Sequence, residues 1–441
     1  MLKTPIARGV ALATLGATLA IPSMAQAAFI EDTKAGLELR NFYFSRDFRE
    51  GTGQSKQEEW AQGFLLRVES GYTEGTVGFG VDAIGLLGVK LDSGGGRYSN
   101  GAQLLPGDGD TAADDFSEVG MTAKAKMSET VLKIGTMQFK NPAVANSDSR
   151  LLPALMQGAN LVSKEIDGLT LDIGYANRNN LRASSDNEIL TLNGAVSAAD
   201  AADPTKGAGT RNIVRKSGAA NESDDFRFAG ATYQFSKNLT GSYYYSKLED
   251  LYKQNAFNLI HVLPIAEGQS LKTDLRYQRS KDDGSTNVDN KAFGAMVTYS
   301  ISGHSFGLGY QKMSGDTGFA YLGGNVDPYL VNFIQVNDFA NADEKSWQAR
   351  YDYNFAAMGI PGLTFMTRYV SGDNFERTAG ADAGTEGKEW ERNTDIAYTF
   401  QTGALKNLNV KWRNATARNN YSRGTNIDEN RLIVSYTIPL L

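Results

Sequence analysis

The 441-residue chain has no cysteine, two histidines, ten prolines and four tryptophans. Without cysteine it can build no disulfide framework, no zinc–thiolate site and no iron–sulfur cluster. Imidazole chemistry would rest on His261 and His304 alone. Neither has a serine or an acid at a spacing diagnostic of a hydrolytic triad. Beyond residue 27 no apolar run approaches the roughly 20 residues of a membrane-spanning helix. The glycine pairs GTG (51–53) and GFG (78–80) lack a following Lys-Ser or Lys-Thr, so no phosphate-cradling loop is expected. The Asp-rich stretch 108–115 fits no calcium-loop spacing. No cofactor and no metal are therefore expected, and a net charge of −6 argues against nucleic acid. An aromatic fraction of 10% argues against disorder.

The N-terminus reads as a secretory signal peptide, residues 1–27. Lys3 and Arg8 form a positive start, Gly9 to Ile21 are apolar or small, and Ala25-Gln26-Ala27 fits a small-x-small cleavage site. Cleavage would make the net charge −8 rather than −6. An exported chain without disulfides needs another source of stability.

From about residue 63 onward the apolar period is two. Phe64, Leu66 and Val68 alternate with Leu65, Arg67 and Glu69; Leu271, Thr273, Leu275 and Tyr277 alternate with Lys272, Asp274, Arg276 and Gln278; Val410 and Trp412 alternate with Lys411 and Arg413. Such alternation makes strands with one apolar and one polar face. A soluble sandwich turns the apolar face inward; an outer-membrane barrel turns it toward lipid. Many Arg, Lys, Asp and Glu stand near strand centres, as a hydrated lumen permits. Tyr72, Tyr175, Tyr277, Tyr310, Tyr369 and Tyr436 end apolar series, as an interfacial girdle requires. Short turns (Ser128-Glu129, Ser236-Lys237-Asn238) alternate with expected loops at 92–117, 179–224, 313–345 and 370–393. The stretch 195–210 reads as a mobile external loop. The fold expected is therefore all-β: one transmembrane antiparallel barrel over residues 28–441. At roughly 22–26 residues per strand and connection, it has about 16–18 strands.

The segments LELRNFYFSRDFRE (37–50), EEWAQGFLLRVESGYTEGTVGFGVDAIGLLGVKLD (58–92), SRLLP (149–153), LEDLYKQNAFNLIHVLPIAEGQSLKTD (248–274), DEKSWQARYDYNFAAMGIPGLTFMTRY (343–369) and ENRLIVSYTIPLL (429–441) resemble the OprD family of outer-membrane porins, in order along nearly the whole mature chain. The resemblance implies 18 strands and a lumen narrowed by an inward-folded constriction loop, here 137–167. It also implies passive, substrate-selective uptake of small carboxylate solutes. Basic amino acids or short peptides come first, aromatic or cyclic carboxylates next. The same resemblance implies a row of basic side chains down one lumen wall.

A carboxylate entering a narrow pore loses water, and fixed guanidinium groups replace it because their planar fork binds both oxygens. Strand phase puts Lys411, Arg413 and Arg431 on the lumen face, and all three match family positions in the basic row, as does Arg46. Position 57, basic in some relatives, is Gln57; the neighbouring Lys56 is the candidate substitute. Ala397 stands where relatives can have lysine. Arg150, within SRLLP, is expected to reach the lumen from the constriction loop. Asp338 matches an acidic position near the narrowest point, where it would attract an ammonium group, and Val336 stands where relatives can have tyrosine. A peptidase activity has been suggested in the family, but the segment GLTLDIGY carries Tyr175 where that idea needs histidine. His304, in phase with the apolar face, reads as an interfacial side chain. The alternatives are a barrel enzyme of protease or lipase type, which the histidine count disfavours, and an adhesin acting through long loops. Expected partners are small carboxylate solutes and outer-membrane lipid or lipopolysaccharide, with the barrel a monomer or loose trimer.

Overall fold

A strand whose side chains alternate can face lipid on one side and water on the other, and eighteen of them do so here. In a computed structural model, which describes residues 29–50, 53–377, 383–421 and 426–441, the strands are β1 (Lys34–Phe48), β2 (Lys56–Glu69), β3 (Gly78–Asp92), β4 (Asp115–Met127), β5 (Thr130–Met137), β6 (Leu155–Ile166), β7 (Leu169–Asn180), β8 (Phe226–Ser236) and β9 (Leu239–Leu248). They continue as β10 (Tyr252–Ala266), β11 (Gln269–Asp282), β12 (Asp289–Ile301), β13 (His304–Ser314), β14 (Lys345–Asn354), β15 (Leu363–Glu376), β16 (Glu386–Thr399), β17 (Asn409–Asn419) and β18 (Ile427–Pro439). Each pairs antiparallel with the next, and β1 pairs with β18 from Gly36↔Pro439 to Phe48↔Ile427, which closes the cylinder. The expected signal peptide lies outside the described residues.

The apolar face points out. Val119, Leu308 and Met121 are 74%, 70% and 61% exposed, and Trp412 is exposed while its neighbours Lys411 and Arg413 reach Asp395 on the inner face. This is the reverse of a soluble sandwich and fits a lipid-facing exterior. The two ends differ. Residues 128–129, 167–168, 237–238, 267–268 and 302–303 make two-residue turns at the end that also holds both strand termini. At the turn into β13, Ser302 and Gly303 both have positive φ (49° and 84°), the conformation a two-residue hairpin needs. His304 then packs at a tilt against Tyr353 (ring centroids 4.3 Å apart), and its Nδ1 hydrogen-bonds the Tyr351 hydroxyl at 2.8 Å, an aromatic cluster at the short-turn end.

The long connections, 93–114, 138–154, 181–225 and 315–344, all leave the opposite end and fold inward. Three expectations change as a result. The constriction loop is 138–154, because the second part of 137–167 is strand β6. Residues 370–393 are mostly the hairpin β15–β16, whose inward Val370, Gly372, Glu389 and Glu391 hide the alternation among Gly, Asp and Glu. Within 195–210, Ala198–Ala202 form a short helix, α1, capped by the Ser197 hydroxyl, which accepts the Asp200 N–H at 3.0 Å.

Inward apolar residues explain why the loops stay inside. Phe139, Val144, Leu190, Leu192, Ile213 and Leu322 from three loops pack on Phe226, Phe228, Leu248 and Tyr252 of the wall. Leu104, Leu105, Leu151 and Leu152 pack on Phe42, Phe44, Leu65 and Leu86 across the lumen. The loops are also joined to one another. The Ser147 N–H donates to the Asn325 carbonyl (2.9 Å), the Asp327 N–H to that of Ala145 (2.8 Å), and Leu192 bridges Leu322.

Leu308→Arg, on the lipid face of β13, should cost about 2–4 kcal/mol of barrel stability, whereas Thr298→Arg on the inner face of β12 should cost under about 1 kcal/mol. Urea titration of the protein refolded into lipid vesicles would check this.

Candidate functional site

Loops 138–154 and 315–344 meet the inner wall formed by β14–β18 and β1. Cross-strand register builds a basic arc on that wall. Arg350 stands opposite Arg368, and Arg413 stands opposite Arg431. Like charges in directly opposite positions repel unless something intervenes. Arg350 is held by Asp352 at 2.7 Å and Arg413 by Asp395 at 2.9 Å, with Lys411 also 3.5 Å from Asp395. Arg368 donates to the Asn393 side-chain oxygen at 2.7 Å and forms no ion pair among the described residues.

At the closure seam the arrangement is tighter. Glu429 of β18 is fully buried and accepts from Arg46 of β1 (2.6 Å) and Arg431 (2.6 Å). Arg46, Arg150 and Arg431 lie 5.5, 5.6 and 5.7 Å from the Phe44 ring centroid, so one aromatic ring is shared by three guanidiniums. Arg431 is only 1% exposed, and its remaining donors reach the carbonyls of Ser149 and Gln335, both at 3.3 Å. It therefore ties both loops to the wall. Arg150 donates to the Gln103 side chain at 3.0 Å and has no acid partner among the described residues. Burial, followed by the charge of Arg431, lowers its pKa well below the ordinary guanidinium range.

These groups surround a cavity of about 390 Å³ lined by Arg150, Arg182, Arg368, Arg413 and Arg431 together with Asp327 and Asp338. Arg182, from loop 181–225, donates to the Ala102 carbonyl at 2.9 Å, while its Nε is buried without a partner. Burial, then Arg431, brings its pKa down to about 10, so it remains charged at neutral pH. Asp338 is already occupied. Arg211 forms an ion pair with it, and the Tyr321 hydroxyl donates to it at 2.7 Å. Burial raises the pKa of Asp327, against a hydrogen bond from Ser147 and the charges of Arg182 and Arg150. Gly324 (φ +76°) sits in the cavity wall, and a Cβ there would strike the Asn179 amide that donates to its carbonyl.

Of the residues singled out from sequence, Arg150, Asp338, Arg413 and Arg431 line the cavity. Arg46 stands behind it, holding Glu429, and Lys411 flanks it through Asp395. Lys56 is not brought there. Strand phase turns Gln57 inward, opposite Arg46, and turns Lys56 outward, where it pairs with Glu58 at 3.0 Å. Arg182, Arg211, Arg368, Tyr321 and Asp327 were not anticipated. Arg368 had a signal, being the neighbour of the girdle residue Tyr369; the other four lie in loops that strand phase does not reach.

A family model described as outer membrane porin, OprD family, matches residues 27–440. The chain belongs to the OprD family. It is 37% identical to the porin-like protein GalP of Pseudomonas putida, over 97% of each chain. Among solved structures it resembles Pseudomonas aeruginosa OpdQ at 60% identity (94% of this chain, 100% of that one, TM-score 0.83). It also resembles P. aeruginosa OpdK solved with vanillate at 38% identity (93% and 100%, TM-score 0.81). The protein is thus an outer-membrane porin, a passive channel of the substrate-specific kind rather than an enzyme.

Because the pKa of Asp327 is raised, it takes up a proton sooner than an ordinary carboxylate as the pH falls, which removes a negative charge from the cavity. The anion-to-cation permeability ratio should therefore rise as the pH falls from neutral toward the ordinary carboxylate range. Asp327→Asn should hold the ratio near its acidic value throughout, as read from reversal potentials in planar bilayers.

Proposed function

We propose that this OprD-family porin selects small carboxylates that carry no ammonium group, aromatic and cyclic acids among them, ahead of the basic amino acids and short peptides that family resemblance put first. One observation carries this reading. The cavity is lined by five arginines, of which Arg150, Arg182 and Arg368 have no acid partner among the described residues, while Asp338 is already taken by Arg211 and Tyr321. An ammonium group arriving there finds Asp338 taken; the other acid of the lining, Asp327, forms no ion pair among the described residues but stands in the field of Arg182 and Arg150. A carboxylate, in contrast, meets guanidiniums whose hydrogen-bonding capacity is incompletely used. Several such contacts at close quarters let a solute bind well enough to enter and weakly enough to leave. The vanillate in the OpdK structure is an aromatic carboxylate, which agrees with this preference.

The exterior supplies the other half of the reading. Outward apolar residues set the barrel in lipid, and all long connections lie at one end, as extracellular loops do. Lipopolysaccharide is then the lipid that its outer rim would meet.

Swelling of proteoliposomes in benzoate should be faster than in L-lysine. Arg182→Gln or Arg368→Gln should slow benzoate entry about tenfold, the loss expected for one charge-assisted hydrogen bond. Arg413→Glu should nearly abolish entry. Faster entry of L-lysine than benzoate, or no effect of Arg413→Glu, would remove the proposal. Growth of a deletion strain on single carboxylates would then narrow the solute.

A further inference from the structure

The outer wall carries a pattern that solute passage does not use. On β9 and β11–β14, each strand has an outward cation two residues from an outward aromatic, on the long-loop side of it. The pairs are Lys247 with Tyr245, Arg279 with Tyr277, Lys291 with Phe293, Lys312 with Tyr310, and Lys345 with Trp347. All five aromatics are exposed, from 37% for Tyr245 to 49% for Trp347. Two residues along a strand put the cation about 7 Å above the ring on the same face. Aromatic girdles mark the membrane–water interface. The cations therefore stand at headgroup depth in the outer leaflet.

Along this arc the cations differ in their partners. Lys247 pairs with Glu249 and Asp283 at 3.0 Å, and Arg279 with Asp289. Lys291 and Lys312 form no ion pair among the described residues, and Lys345 reaches only the Asn374 side-chain oxygen at 3.0 Å, although Asp373 stands opposite it. Lys312 and Lys345 are directly opposite each other in the β13–β14 ladder, and Lys312 faces Phe293 across β12–β13, two residues from Lys291. Directly opposed like charges destabilise a sheet. A shared anion at this depth turns that cost into binding. At the matching end of β4, outward Asp115 and Ser117 occupy the edge instead, and on β16 the outward Lys388, two residues from Trp390, has Glu386 3.8 Å away.

We propose that Lys291, Lys312 and Lys345 form a docking site on the barrel's outer wall for the phosphorylated headgroup of an outer-leaflet lipid. The phosphate lies among the three ammonium groups, and the acyl chains run down over Phe293, Tyr310 and Trp347. This rests on the membrane orientation given above, and is independent of which solute the lumen takes.

The test uses the purified barrel in detergent with diphosphoryl lipid A as the probe, against dephosphorylated lipid A and phosphatidylcholine, with binding read by native mass spectrometry. The diphosphoryl lipid should bind and the other two should not. The triple variant Lys291→Gln, Lys312→Gln and Lys345→Gln should bind at least tenfold more weakly, given about fivefold per cation at a charged lipid surface. Lys237→Gln with Lys406→Gln, at the short-turn end, should leave binding unchanged. Unaltered benzoate conductance in the triple variant would show that the barrel is intact. Equal binding by the triple variant, equal binding of the dephosphorylated lipid, or a dimer of barrels that the triple variant dissolves would each overturn the proposal.

Discussion

A bilayer offers the backbone no hydrogen-bond partner, so a chain crossing it as strands must satisfy every amide from another strand. The β1–β18 ladder meets that requirement, and the rest of the structure follows from it. Once the cylinder is closed, outward side chains face lipid and must be apolar. Charge and water are left to the inner face, and any binding chemistry has to be built there. The absence of cysteine costs little in such a fold, because closure itself removes the sheet edges through which strands fray or aggregate.

Inside, the problem is to hold long loops against a charged wall without leaving buried charge unpaired. Carboxylates do this repeatedly. Glu59, fully buried on β2, accepts the N–H groups of Ser99 (2.8 Å) and Leu104 (2.7 Å) and so fastens loop 93–114. Glu391 on β16 accepts those of Val336 (3.1 Å) and Asn337 (2.8 Å) and fastens loop 315–344. Glu429 takes two arginines and the Gln335 amide at 2.9 Å. A carboxylate satisfied by fixed donors pays its desolvation within the wall. The acids are thereby spent on structure, and several cations facing the cavity are left with spare capacity. The positive character of the constriction is a consequence of how its loops are tied down.

What could be read from sequence divides along the same line. Strand phase is a local property with a period of two, so the barrel, the outward Trp412 and the inward Lys411, Arg413 and Arg431 were all legible. The same rule, applied strictly, would have sent Lys56 outward and admitted Arg368, since each neighbours a residue whose phase was known. The loops follow no period. Asp338 looked like a free acid because Arg211, 127 positions away, has no local link to it. Arg182 and Asp327 reach the cavity only because Ser147, Ala145 and Asn325 stitch three loops together. The apolar alternation also misleads in one respect: Phe42, Phe44, Phe226 and Phe228 lie on the inner face, where loops cover them, so a hydrophobic residue in a barrel strand does not by itself mark lipid.

The cavity thus has two kinds of lining with different freedoms. Arg368, Arg413 and Arg431 belong to strands whose register is fixed around the entire cylinder, and Arg431 also carries the loops, so changing them disturbs the wall. Arg150, Arg182, Asp327 and Asp338 come from loops, where a substitution alters the charge facing a solute while every barrel ladder stays intact. The wall presents fixed guanidinium groups to the cavity. The loops decide whether an acid is left free beside it: here Arg211 and Tyr321 occupy Asp338, whereas a chain with another residue at position 211 would release that acid toward an incoming ammonium. Preference between plain carboxylates and amino acids can therefore turn on a residue that never touches the solute.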